Sequence, residues 1–102
     1  MSTKSALACC LQSQDFRAQA NVSREILKLA RSTKEIDAGF RFSFDASSNN
    51  LKLLFELIDA ERQCCPFLIF TLEVPAQQNS FVFRIIGPSG SVEFIRSELF
   101  EA

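Results

Sequence analysis

The stretch "GFRFSFD", residues 39–45, decides the fold. Phe40, Phe42 and Phe44 fall on one side of an extended chain, and Arg41, Ser43 and Asp45 on the other. Successive side chains of a strand point to opposite faces, so this alternation predicts one buried face and one wet face. The pattern returns in "FVFRI", residues 81–85, with Phe81, Phe83 and Ile85 inward. It returns less regularly in "FLIFTLEV", residues 67–74, with Leu68, Phe70, Leu72 and Val74 inward. Only the short loop 75–80 separates these last two runs, which predicts an antiparallel hairpin with Arg41, Thr71, Glu73 and Arg84 on the shared outer face.

Around these strands the apolar period changes to that of helices. Residues 48–64 read as a helix opened by Ser and Asn capping candidates, with a core stripe of Leu51, Leu54, Phe55, Ile58, Arg62 or Glu61, and then Cys65. Phe16, Ala20, Leu27 and Ala30 place an earlier helix over residues 13–31. A third helix spans residues 91–100, after the turn residues "GPSG" at 87–90. The stretch 5–11 reads as a short edge strand. The expected order is β-α-β-α-β-β-α, an α+β two-layer sandwich. Three helices lie on one face of a mostly antiparallel sheet of three to four strands, with a ferredoxin-like arrangement as one version. The strands at 39–45 and 67–74 should be parallel if they are neighbours, since a helix joins them.

The 102 residues form a single domain, 1–102, just large enough to bury a core without staples. Eleven phenylalanines supply most of that core. Eleven basic and twelve acidic residues are dispersed and leave a net charge of −1, so the basic footprint of a nucleic-acid binder is missing. No apolar run approaches the roughly 20 residues that span a bilayer, and the first ten residues lack the apolar core of a signal peptide. These features predict a cytoplasmic protein with neither nucleic acid nor membrane as partner.

Cytoplasmic placement sets how the four cysteines, Cys9, Cys10, Cys64 and Cys65, are read. In a reducing compartment clustered thiols lean toward metal binding, redox chemistry or plain burial rather than a disulfide framework. The chain contains no His. Cys/His and Ser/His nucleophile pairs are therefore excluded, and any metal must be held by Cys, Asp, Glu, backbone or water.

The cysteine-rich segment is "ERQCCPF", residues 61–67. Glu61 lies three residues before Cys64 and four before Cys65, spacings that bring helical side chains to one region. Pro66 disfavours helical geometry at Cys65, so the thiols sit where the helix hands over to a strand. The partial negative charge of a helix C-terminus opposes thiolate formation, and Glu61 acts in the same direction. Arg62 alone pulls the other way. A soft cation, by contrast, brings its own charge and deprotonates the thiols that bind it.

Metal or metalloid capture therefore suits this location better than an activated nucleophile does. Thiolates select soft or borderline ions such as Cu(I) and zinc. The same softness extends the set of guests to mercuric, cadmium and arsenite species, Zn, Hg, Cd or As(III). A third thiol from Cys9 or Cys10 would complete a trigonal set. Two other classes compete. One is a thiol enzyme acting on a peroxide, disulfide or organometal, with Cys64 or Cys65 as nucleophile and Glu61 as proton donor or acceptor. The other is a structural domain or homodimer in which the cysteines merely fill the core, as free Cys often does. Glu61 then serves as a buttress paired with Arg17 or Arg62.

The strings "ACCL" at 8–11, Arg17 a few residues on, "ERQCCPFL" at 61–68 and "IGPSG" at 86–90 resemble a group of small uncharacterised bacterial proteins. That group has an A-C-x-L start and an E-R-x-C-C-P-F-L signature, and occurs beside or fused to heavy-metal, mercury-type resistance functions. The resemblance spans nearly the whole chain. It matches Cys9 to the family cysteine and Cys10 to a variable position, and carries over Glu61, Cys64 and Cys65 directly. It thus implies a metal set of Cys9, Cys64, Cys65 and Glu61, with Arg17 and Arg62 in support.

Overall fold

The computed structural model describes residues 21–76 and 79–100, without the side chains of residues 64, 99 and 100. Four strands, β1 (Ser32–Ile36), β2 (Gly39–Asp45), β3 (Ile69–Glu73) and β4 (Ser80–Ile86), form one sheet in the order β1-β2-β4-β3. All three pairings are antiparallel. Helical residues 21–27 (α1), α2 (Ser48–Cys64) and α3 (Ser91–Ile95) complete the domain, and α3 runs on into a π-helical turn, Arg96–Phe100. The architecture is the expected α+β two-layer sandwich.

The alternation in β2 and β4 becomes the core. Phe40, Phe42 and Phe44 are buried, as are Phe81, Phe83 and Ile85. Register places Phe42 opposite Phe83, their ring centroids 5.8 Å apart. Phe70 of β3 stacks on Phe83 at 6.3 Å. Leu54 and Leu57 of α2, Ile26 and Leu27 of α1 and Ile95 of α3 pack into the same cluster. Each large aromatic so enclosed contributes on the order of 2–3 kcal/mol of transfer free energy.

Joined through α2, β2 and β3 do run parallel, but they are not neighbours: β4 lies between them and pairs with both. The run β2-α2-β3-β4-α3 is most of a ferredoxin-like β-α-β-β-α-β unit. The edge beside β2, where the last strand of that unit belongs, is filled by β1, which precedes the run in sequence.

Several local expectations change. The helix expected to reach residue 31 gives way to a turn at 28–29, and residues 32–36, to which the sequence reading assigns no element, are strand β1. β1 turns into β2 through Asp37 and Ala38, with Ala38 at φ 67°. Phe55, expected in the core stripe of α2, is 57% exposed, and Leu57 takes the buried position. The third run shortens to Ile69–Glu73, with Leu68 buried just ahead of it and Val74, expected inward, 49% exposed. The strand expected at 5–11 lies outside the described residues.

Both ends of α2 follow from its sequence. Ser47 is the N-cap, its side chain accepting a hydrogen bond from the Asn50 amide, which satisfies one of the unpaired donors of the first turn. At the other end Cys65 is the C-cap, with φ −123° and ψ 80°, outside the helical region that Pro66 disfavours for its predecessor. At this end of α2 Glu61 and Cys65, four residues apart, are both buried.

Candidate functional site

Glu61 is a carboxylate in the core, 2% exposed, on the last full turn of α2. Burying an ionisable carboxyl group is costly unless hydrogen bonds replace its water. Ser23 of α1, itself fully buried, supplies one: its hydroxyl donates to Glu61 Oε2 at 2.5 Å across 38 positions of sequence. The other carboxylate oxygen, Oε1, lies 3.6 Å from the sulfur of Cys65.

Cys65 is 1% exposed and is disulfide-bonded. A disulfide sulfur has no proton to give, so its approach to Oε1 is a contact and not a hydrogen bond. The chain holds three other cysteines, and the partner sulfur lies outside the described side chains. Compartment and clustering lean toward metal binding, redox chemistry or plain burial rather than a disulfide framework, yet Cys65 is bonded. The redox compartment biases that question but does not settle it for an individual buried pair, where two sulfurs within bonding reach decide the outcome.

The backbone holds the pair in place. The Cys65 amide donates to the Glu61 carbonyl at 2.6 Å, so the two residues are joined by the last hydrogen bond of α2 as well as by the approach of their side chains. Their four-residue spacing is the one that stacks helical side chains on one face.

The other predicted residues distribute as follows. Arg62 points away from the site to the surface, where it forms an exposed ion pair with Asp59 at 2.9 Å; its expected pairing with Glu61 is not made. The backbone of Cys64 ends α2 next to Cys65, and its side chain is outside the described set. Cys9, Cys10 and Arg17 lie outside the described residues. Among the described residues no group of three or more His, Cys, Asp or Glu converges as a complete ligand set. Cys65 and Glu61 are the two predicted donors seen together.

Ser23 is the residue that sequence reasoning missed. Only its position four residues before Leu27, on a helix whose inner face is apolar, signals that a polar group there must find a buried partner.

Against protein-family models, curated proteins and solved structures, the chain matches none.

Proposed function

We propose that this is a small cytoplasmic protein that binds a soft metal or metalloid ion through Cys65, Cys64 and Cys9 in their reduced state, with Glu61 beside them. The observation that carries this proposal is the bonded state of Cys65: a second cysteine sulfur reaches it at the spot where a buried carboxylate oxygen stands 3.6 Å away. Two sulfurs and an oxygen at one buried point are a donor set for zinc, cadmium, mercuric or arsenite species. The resemblance of "ERQCCPFL" to bacterial proteins linked with heavy-metal resistance supports the same chemistry. The absence from the described residues of a helix long and apolar enough to cross a membrane is compatible with a cytoplasmic place.

Capture requires the disulfide to open. A cellular dithiol attacks the bond, its two sulfurs become joined to each other, and both protein cysteines leave as thiols carrying the two protons of the reductant. The thiols then lose those protons to the medium as the ion binds. Anaerobic titration of the reduced protein with cadmium, followed by the ultraviolet thiolate-to-metal band, tests this. Saturation at one equivalent is expected for reduced protein, and a much weaker band for oxidised protein, whose bonded cysteines cannot ligate. A reduced protein without a band would contradict the proposal.

A second function is favoured by the disulfide itself. The same opening and closing, run as a cycle with an external substrate, would make the protein a thiol–disulfide exchanger. Turnover of a model disulfide that stops on Cys65→Ser, with no ion uptake by the reduced protein, would select that function over capture.

A further inference from the structure

We infer that the free edge of β3 is an interface between two copies of this chain. The copies pair β3 with β3, antiparallel about a two-fold axis at Thr71, and so join two four-stranded sheets into one. The contact is independent of the cysteine site. β1 and β3 are the edges of the sheet. An edge strand presents unpaired backbone groups, and natural proteins commonly blunt such an edge with charge. β1 is blunted in this way by Lys34 and Glu35, both exposed. β3 is not. Within IFTLE the sole charged side chain is Glu73, which Arg84 of β4 engages at 2.6 Å. Ile69 is 58% exposed, as is 49% of Val74 just past the strand.

The ladder shows which groups of β3 are free. In an antiparallel pair, opposed residues that exchange hydrogen bonds alternate with opposed residues that do not, so successive residues aim their N–H and C=O groups at opposite neighbours. The Gly87 amide donates to the Ala38 carbonyl and the Ala46 amide to the Asn79 carbonyl, one bond just beyond each end of the β2–β4 register. Phe81, Phe83 and Ile85 of β4 therefore bond to β2, and Val82, Arg84 and Ile86 to β3. The residues opposite these last three are Glu73, Thr71 and Ile69. The backbone groups of Phe70 and Leu72 are left directed at the free edge.

A second copy fits those groups. With Thr71 opposite its own counterpart, Phe70 of each copy faces Leu72 of the other, and the two exchange the hydrogen bonds that the edge leaves open. This inner-face pair is apolar on both sides, and on the outer face Thr meets Thr, a cross-strand pairing that stabilises. Each Glu73 falls opposite Ile69 of the other copy, so the two carboxylates stay at opposite ends of the contact. The same arrangement on β1 would set Lys34 against its own counterpart, a destabilising like-charge pair. A two-fold interface requires a surface complementary to itself. β3 meets that requirement, which selects a second copy as its occupant.

The test is sedimentation velocity of the full chain over a dilution series in the micromolar range, with and without reductant. Wild-type protein should sediment as a dimer at the high end and dissociate on dilution, alike in both conditions. A monomer throughout, or a dimer that reductant abolishes, would overturn the inference. Thr71 is exposed, so its variants should keep the native circular dichroism spectrum. Thr71→Glu faces Arg84 within its own chain and its like across the two-fold, which should weaken association at least about tenfold. Thr71→Lys should also weaken it, and an equal mixture of the two variants should restore the dimer. Lys34→Glu, on the other edge, should leave association unchanged. A dimer that survives Thr71→Glu, that fails to return in the mixture, or that is lost on Lys34→Glu would place the interface elsewhere and overturn the inference.

Discussion

The Ser23 hydroxyl donates to the Glu61 carboxylate at 2.5 Å, and both side chains are sealed from solvent between α1 and α2. This bond ties α1 to the end of α2 through a polar contact inside an otherwise apolar layer. Removing the donor leaves a buried oxygen short of one hydrogen bond, a defect that costs about 1–3 kcal/mol. Ser23→Ala should lower the urea midpoint by the corresponding amount, with the slope of the transition unchanged. Ser23→Thr should recover most of that loss.

The phase of α2 gives a contrast between two neighbouring large residues. Leu57 is fully buried and Phe55 is 57% exposed. Leu57→Ala should therefore cost about 2–5 kcal/mol in chemical denaturation. Phe55→Ala should stay within about 0.5 kcal/mol of wild type. The opposite ranking would mean that the helix is rotated.

Ala38 occupies the second position of the two-residue turn between β1 and β2 with φ 67°. A side chain with a Cβ costs about 1–2 kcal/mol in that conformation. Glycine avoids this cost but loses about 0.5–1 kcal/mol of chain entropy on folding. Ala38→Gly should thus raise stability by about 0.5–1 kcal/mol, the difference between these two effects. Thermal and urea unfolding measure it.

On the outer face of the sheet, Lys34, Arg41 and Arg84 stand opposite one another on three successive strands. Glu73 offsets Arg84 at 2.6 Å. Like charges placed directly across a ladder are destabilising, and an opposite pair in the same place gains roughly 0.2–1 kcal/mol. Arg41→Glu should stabilise the domain by that order at low salt, and the gain should shrink near 1 M salt, where the screening length falls to about 3 Å. A gain that salt leaves unchanged would rule out cross-strand charge as its source.

The legible parts of this fold were those in which side chains carry a period. β2 and β4 alternate large aromatics with polar residues because one face is in the core, and α2 repeats its leucines at helical spacing between a Ser cap and Pro66. β1 has no such signal. Its sequence, STKEI, is exposed at four of five positions, and it is a strand because β2 offers it a hydrogen-bonding edge. Nothing local distinguishes it from a linker. The sheet order escaped for a related reason, since local periodicity cannot tell which strand β4 will separate.

At the site, the four-residue spacing of Glu61 and Cys65 within one helix predicted their meeting, and the structure brings them together. Arg62 is adjacent to Glu61 in sequence but on another face, and it pairs with Asp59 one turn back. Ser23 approaches from 38 positions away, a distance over which only the packing of α1 on α2 carries information. The disulfide at Cys65 depends on the same kind of long-range or side-chain placement, which cysteine count and compartment do not encode.

The claim that Cys64 and Cys65 hold an ion is tested most directly by native mass spectrometry of the reduced chain and of its Cys64→Ser, Cys65→Ser double variant, each offered zinc, mercuric ion or arsenite. Wild-type protein should gain the mass of one bound ion, and the double variant should gain none. Equal uptake by the two proteins, or none by reduced wild type, would contradict it.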